Sequence, residues 1–161
     1  MDNKEDIDLN TQWNVWYHHS MDDWTIKGYR KIFDIKTVND FWKFFNNINC
    51  IGGINNLHFF LMRDGITPIY EDQKNRNGGV WSMLTQPNKS YELWENIAVK
   101  MIGETLINES MTITGLSINL KNGIPVIKIW NNDKSKNSVS FLPILPHLSS
   151  EIVYRHHKLE F

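Results

Sequence analysis

A predicted hairpin in the second half of the chain carries side chains that could bind a charged, flat ligand. Around the turn at Asn122-Gly123, the positions that alternate with aliphatic residues are Asn119, Lys121, Lys128 and Trp130. If the aliphatic residues pack in the core, these four side chains point away from it. Cations, an amide and an indole on one face suit a phosphorylated aromatic ligand such as a nucleotide. The alternative is a solvated face whose tryptophan is covered by a loop or a helix.

A second group of candidate residues is Tyr70-Glu71-Asp72, which lies in a polar segment between two predicted strands. An aromatic ring next to a carboxylate suits a flat cationic ligand with N–H donors. The ring attracts the cation over its face, and the carboxylate can accept two parallel hydrogen bonds. The alternative is a solvated acidic loop.

Tryptophan is abundant, with seven residues in a chain of 161. They are distributed along the whole sequence, and several stand beside charged or turn-forming residues. This placement indicates that some of them hold a flat ligand or a partner instead of the core. They are Trp13, Trp16, Trp24, Trp42, Trp81, Trp94 and Trp130.

The elements that must position these residues form one α+β domain. Residues 1–10 are predicted to be a flexible tail, and residues 11–161 a single domain. We predict strands at residues 13–17, 29–35, 57–62, 80–84, 111–120, 124–130, 139–145 and 152–155. Helices are predicted from a capping box at Thr37 and over residues 90–106. The resulting fold is a curved antiparallel sheet with helices on one face.

Both predicted helices leave apolar residues outside their core stripes. Trp42 lies off the stripe formed by Phe41, Phe44, Phe45 and Ile48, and Val38 lies at its edge. Val99 and Gly103 point away from the stripe of the second helix. Val99 and Gly103 form a small apolar spot on the outer side of that helix.

Composition excludes several functional classes. The net charge of −1 argues against a protein that wraps duplex nucleic acid through many phosphate contacts. The single cysteine excludes an intramolecular disulfide and favours a reducing compartment. His18, His19, Asp22 and Asp23 lack the spacing of a firm metal site, and His156-His157 is interpreted as an exposed terminal pair. With no nucleophile or phosphate-loop motif, we expect neither a catalytic residue, nor a cofactor, nor a metal site.

Taken in order, these segments resemble the family of eukaryotic translation initiation factor 4E, the messenger-RNA cap-binding protein. The resemblance extends from Leu9 to Tyr154. Its anchors are Trp13-Asn-Val-Trp16, Thr37-Val-Asn-Asp-Phe-Trp42, Arg63-Asp-Gly-Ile-Thr-Pro68, Tyr70-Glu-Asp72, Gly78-Gly-Val-Trp81, Trp94, Ile102-Gly-Glu104 and Lys128-Ile-Trp130.

The resemblance implies a site for the 7-methylguanosine cap on the concave side of the sheet. Trp24 and Tyr70 would sandwich the base, which methylation at N7 makes cationic. Glu71 would accept hydrogen bonds from the base, and Trp130 would contact the N7 methyl group. The phosphate bridge would be bound by Lys121, Asn119 and Lys128. Trp13, Trp16, Trp81 and Trp94 would be structural.

On the convex side, the resemblance implies a partner surface. It would consist of Val38, Trp42, Val99 and Gly103, and it would dock the short helical motif of a 4G-type scaffold or a 4E-binding protein. The expected function is recruitment of that scaffold to capped messenger RNA, so that translation begins. The alternative is a cap-binding repressor or decoy. We expect a cytoplasmic, non-enzymatic monomer that binds neither DNA nor membranes.

The chain departs from the family pattern at several of these positions. Tyr70 stands where the family usually has tryptophan, and Val80 replaces a basic residue after the double glycine. Val126 occupies the place of a phosphate-binding lysine, for which Lys128 on the same face would compensate. Glu95-Asn96 replaces the usual Leu-Glu pair on the convex side. The final cap-side loop is expected to be shortened or missing.

Overall fold

A seven-stranded antiparallel sheet forms the body of the protein. The computed structural model describes residues 5–20, 22–51 and 58–159. The strands occur in the order β2-β1-β3-β5-β6-β4-β7. Register shifts within the β1–β2 and β5–β6 pairs bend the sheet. The strands are β1 (Asp8–His18), β2 (Tyr29–Thr37), β3 (His58–Arg63), β4 (Gly79–Leu84), β5 (Ile113–Lys121), β6 (Ile124–Asn131) and β7 (Val153–His156).

The β5–β6 hairpin confirms the predicted division of its side chains between two faces. Its turn uses Asn122 at φ 52° and Gly123 at φ 78°, a pair of positive values that matches the right-handed twist of the strands. Ser117 pairs with Lys128, and Gly115 pairs with Trp130. Residues directly opposite each other point to the same side of a sheet. The aliphatic residues between them are buried in the main core: Leu116, Ile118, Ile127 and Ile129.

Two helices cover the other face of the sheet, which we call the convex face. Helix α1 (Val38–Asn47) begins with the predicted capping box, in which Thr37 Oγ1 accepts from the Asp40 amide at 3.1 Å. Helix α2 (Ser90–Ile102) packs against α1, since the Tyr91 hydroxyl donates to the Phe45 carbonyl at 2.8 Å. No helix within the described ranges is long and apolar enough to cross a lipid bilayer.

The predicted start of the first strand and the predicted end of the second helix are wrong. Strand β1 begins at Asp8, so residues 8–10 belong to the sheet instead of the tail, whereas residues 1–4 lie outside the described part of the chain. Helix α2 ends at Ile102, where Gly103 is the C-cap and the next residue, Glu104, turns into the left-handed region at φ 57°. The start of the predicted strand at Leu57 also lies outside the described residues.

The segment predicted as a strand at residues 139–145 is not a strand. It contains a short 3-10 helix, Val139–Phe141, in which Ser138 Oγ accepts from the Ser140 amide at 3.2 Å. Pro143 has no amide hydrogen to donate to a strand ladder. The apolar pattern of this segment instead reflects the burial of Leu142 and Leu145 against the core.

A buried ion pair joins the end of β3 to the loop after α2. Arg63 Nη1 lies 2.6 Å from Glu104 Oε1, and both side chains are largely buried. The guanidinium also donates to the carbonyls of Ile113 and Ser110 at 3.1 Å and lies over the Trp13 ring. Burial opposes ionisation of Glu104, but the hydrogen bonds and charge of Arg63 outweigh it and lower its pKa. Arg63 and Glu104 each belong to a segment that resembles the factor 4E family. The ion pair between them therefore gives both segments a structural role.

Replacing Glu104 with glutamine tests this role. Glu104→Gln leaves the Arg63 charge buried without its counter-ion, so we expect the free energy of unfolding to fall by roughly 2 to 3 kcal/mol in urea titrations. Glu92→Gln, which breaks the exposed pair with Lys89, is the control and should cost about 0.5 kcal/mol or less. Equal losses in the two variants would contradict the structural role.

Candidate functional site

A pocket of about 370 Å³ opens on the face of the sheet that the helices leave uncovered, which we call the concave face. Its walls come from the β1–β2 loop, the β3–β4 loop, the central strands and the segment after β7. Segments far apart in the sequence therefore meet at this point. The lining residues are Trp24, Tyr29, His58, Phe60, Pro68, Ile69, Tyr70, Glu71, Ser117, Asn119, Lys128, Trp130 and Lys158.

Trp24 forms one wall of the pocket and is 55% exposed. Its ring stacks on His18, with centroids 4.1 Å apart and planes at 10°. His18 Nε2 donates to the Asp23 carbonyl at 2.7 Å, which fixes the loop that carries Trp24. The described residues contain no cluster of three or more His, Cys, Asp or Glu side chains that could hold a metal. By its stacking and its hydrogen bond, the His18 ring supports the tryptophan.

Tyr70 and Glu71 form the opposite wall, in a loop with many internal hydrogen bonds. Asp72 Oδ2 accepts from the amide and hydroxyl of Thr67 at 2.9 and 2.6 Å. Asn75 Nδ2 donates to the carbonyls of Thr67 and Ile69 at 3.0 and 2.9 Å. Asp72 thus shapes the loop, while Tyr70 and Glu71 line the pocket. The interpretation of these residues as only a solvated acidic loop does not fit this arrangement.

Trp130 forms part of the pocket floor and is only 2% exposed. Its Nε1 donates to Ser117 Oγ at 3.1 Å. The rings of Tyr70 and His157 lie over it, each with its centroid 5.2 Å away. Both interpretations of this residue are therefore partly right, because Trp130 is covered by neighbouring segments and still borders the pocket.

His157 is buried, which contradicts its interpretation as part of an exposed terminal pair. Its side chain is 9% exposed and stacks on Tyr70, with centroids 4.4 Å apart and planes at 23°. Its amide donates to the Gly78 carbonyl at 3.1 Å, so β7 directs the ring under the loop. His157 is absent from the pocket lining and supports Tyr70 as His18 supports Trp24.

Two histidines at the site are neutral near pH 7. Burial, together with the Lys128 charge, lowers the pKa of His157 to about 4. Burial also lowers the pKa of His58 to about 3, with smaller contributions from Lys128 and His18. A neutral imidazole does not repel a cation, so these rings are compatible with a positively charged ligand beside Glu71.

A cationic groove of about 760 Å³ adjoins the pocket and shares Tyr70, Asn119, Lys128 and Lys158 with it. Lys121, Lys128 and Asn119 all line it, as the hairpin pattern predicted. Burial, and then the charge of Arg155, lowers the pKa of Lys128. Asn119 Oδ1 is buried and has no hydrogen-bond partner within the described structure. The site therefore has an aromatic end and a cationic end.

The convex-face residues lie on the opposite side of the sheet from this pocket. Trp42 is 37% exposed and Val99 is 40% exposed, although the residues around them are core. Val38 is half-buried and Gly103 is exposed. The two helices that carry these residues pack on each other through Phe45 and Trp94, whose ring centroids are 5.0 Å apart.

Comparison with known proteins identifies the family. Residues 8–160 match the model of the family described as eukaryotic initiation factor 4E. The chain belongs to this family. It is 28% identical over 134 residues to eukaryotic translation initiation factor 4E-1 of Caenorhabditis elegans, which is 78% of this chain and 62% of that protein.

Solved structures of factor 4E proteins share this fold. Ascaris suum eIF4E-3 in complex with an m7G cap has a TM-score of 0.70 and is 25% identical, covering 81% of this chain and 76% of that one. Its complex with an m2,2,7G cap has the same TM-score and 26% identity over the same shares. The chain spans between 56% and 66% of the length of four curated factor 4E relatives.

Several residues at the site were not predicted from the sequence. Strand alternation already places Ser117 on the face of Asn119 and Lys121, and Phe60 lies on that face because it pairs with Ser117. Tyr29 and His58 both pair with His18, and these long-range pairings have no local sequence signal. Arg155 and Lys158, from β7 and the segment after it, had no predicted role, and His157 was wrongly interpreted as exposed.

The buried neutral state of His157 predicts a pH dependence of stability. The unfolded chain protonates this residue near pH 6.5, but the folded protein does so only near pH 4. Between these values the unfolded state binds more protons, so the free energy of unfolding falls as the pH is lowered. Each such histidine contributes up to about 1.4 kcal/mol per pH unit.

His157→Phe keeps an aromatic ring but removes the titratable imidazole. We therefore expect a smaller slope of the free energy of unfolding against pH, measured by urea titrations at about pH 7, 6 and 5. His58 should supply the remaining slope. The control is His156→Gln, which alters the exposed neighbour and should leave the slope as in the wild type. An unchanged slope in His157→Phe would mean that His157 is not buried in its neutral form.

Proposed function

We propose that this protein binds the 7-methylguanosine 5′ cap of messenger RNA in the concave pocket. The main support is that two aromatic walls, a carboxylate and a cationic groove lie together at one pocket, whose volume suits a base. Membership of the factor 4E family supports it. The cap complexes of the Ascaris relative support it as well.

The base would lie between Trp24 and Tyr70. A methylated guanine is cationic, and each aromatic face attracts it while stacking on it. Glu71 would accept hydrogen bonds from the N–H donors of the base, and the edge of Trp130 would contact the methyl group. The neutral His58 and His157 add no positive charge at this end. Guanine without the methyl group lacks the charge and should bind more weakly.

The phosphate bridge would extend from the base into the cationic groove. Lys121 and Lys128 would bind it by charge, and the Asn119 amide would donate a hydrogen bond. Lys128 is held close to the base pocket by burial among β5 and β6 neighbours, whereas Lys121 is exposed at the hairpin end. The two lysines therefore offer contacts at successive points along the ligand.

The convex surface would dock a protein partner. Val38, Trp42, Val99 and Gly103 form a small apolar surface suited to the apolar anchors of a short helix, such as the motif of a 4G-type scaffold or a 4E-binding protein. Recruiting such a scaffold to capped messenger RNA in the cytoplasm would start translation. A second candidate function is a repressor or decoy, which the polar Glu95 and Asn96 beside this surface favour because they can alter partner choice.

Retention on 7-methyl-GTP resin tests the cap site. Trp24→Ala removes one wall of the base pocket, and loss of one stacking face is worth about 1 to 3 kcal/mol. Glu71→Ala removes the acceptor of the base N–H groups. Each variant should fail to stay on the resin under conditions that retain the wild type.

Trp42→Ala is the matched control, since it removes an indole from the opposite face. It should stay on the resin but lose co-retention of a 4G-type scaffold fragment. Retention of both Trp24→Ala and Glu71→Ala would contradict the site assignment. Failure of the wild type to retain the scaffold, with the cap still bound, would favour the repressor or decoy.

A further inference from the structure

Arg155 occupies the concave face at the edge of the sheet, in line with Trp130. In the β4–β7 pair Arg155 is opposite Val80, and in the β4–β6 pair Val80 is opposite Trp130. Opposed residues point to the same side of a sheet, so the three side chains form one row. The Arg155 guanidinium therefore lies on the same face of the sheet as the base pocket. It comes from β7, which is not part of the β5–β6 hairpin.

The groove beside the base pocket is bounded by cations on two sides. Lys121 and Lys128 line it from β5 and β6, while Arg155 and Lys158 line it from β7 and the segment that follows. Glu151 is the one carboxylate among its described lining residues. Within the described chain, none of the four cations forms an ion pair.

Four cations that face one groove with a single described carboxylate, that of Glu151, repel one another and raise the energy of the unliganded protein. Arg155 and Lys128 are close enough for the Arg155 charge to contribute, after burial, to the lowered pKa of Lys128. An anion between them would relieve this repulsion and gain attraction from both. The arrangement therefore favours a bound polyanion over an empty groove.

The strand pairing also explains a departure from the family pattern. The resemblance to the family implies a basic residue at the position of Val80, and here that side chain is apolar and buried. Arg155 is directly across the strand pair from Val80. Arg155 on β7 can therefore place a positive charge in the part of the groove where β4 has the apolar Val80.

We propose that Arg155 binds the phosphate chain of the cap ligand from the β7 side, opposite Lys121 and Lys128. The phosphate chain would be held between two cationic walls instead of lying against one. This role rests on the proposed function, and it adds a contact from a strand outside the hairpin.

Binding of a ligand series by Arg155→Gln tests the proposal. Calorimetric affinities are measured for 7-methylguanosine, its monophosphate and 7-methyl-GTP. The variant should bind 7-methyl-GTP about tenfold more weakly than the wild type, since one charge-assisted hydrogen-bonding group is lost at an exposed site. Its affinity for 7-methylguanosine, which has no phosphate, should change less than about twofold.

Arg30→Gln is the matched control, because Arg30 is an exposed arginine opposite Tyr17 in the β1–β2 pair, and Tyr17 packs on the core side. It should bind every ligand as the wild type does. The melting temperature of unliganded Arg155→Gln should equal or exceed that of the wild type, because a repulsion is removed. Its increase on adding 7-methyl-GTP should be smaller than in the wild type.

Two results would overturn the proposal. One is an unchanged affinity of Arg155→Gln for 7-methyl-GTP when the wild type binds it. The other is an equal loss of affinity for 7-methylguanosine and 7-methyl-GTP, which would indicate a distorted base pocket. If the wild type binds no methylated nucleotide, the proposed function fails, and inorganic tripolyphosphate becomes the probe. Weaker binding of tripolyphosphate by Arg155→Gln would then still support a phosphate site, and equal binding would exclude it.

Discussion

The pairing of β5 with β6 determines which side chains meet at the site. Because Ser117 is opposite Lys128 and Gly115 is opposite Trp130, the polar and aromatic residues of both strands face the concave side. Their aliphatic neighbours close the core under α1 and α2. A shift of one residue would exchange the two faces, burying the lysine and exposing the core residues. The turn at Asn122-Gly123, with positive φ at both residues, fixes the register against such a shift.

Because of this strand pairing, the concave side has two different electrostatic environments within one site. Around Trp24, Tyr70 and Glu71 the protein offers aromatic faces, a carboxylate and histidines kept neutral by burial. Around Lys121 and Lys128 it offers positive charge that forms no ion pair among the described residues. A ligand with a cationic base and an anionic phosphate chain matches this division, and a ligand with the opposite polarity does not. The stacked His18 and His157 rings support the two aromatic walls from behind.

The sequence predicted most of the sheet and the hairpin face, since these depend on local alternation and on turn chemistry. The capping box at Thr37 and the exposure of Trp42 and Val99 were predicted for the same reason. The role of Trp24 was indicated only by resemblance to a family, because a loop has no periodicity. His157 was wrongly interpreted as exposed, and Arg155 had no predicted role, because the face they occupy depends on the long-range pairing of β7 with β4. The apolar pattern at residues 139–145 indicated burial correctly but not conformation.

We propose that the concave pocket recognises the positive charge of a methylated base. Tryptophan fluorescence titration of the wild type with 7-methyl-GTP and with GTP tests it most directly, since the two ligands differ only in that methyl group and its charge. Cation–π attraction of about 2 kcal/mol in a desolvated sandwich predicts an affinity about thirtyfold higher for 7-methyl-GTP. Equal affinity for the two nucleotides would contradict the account.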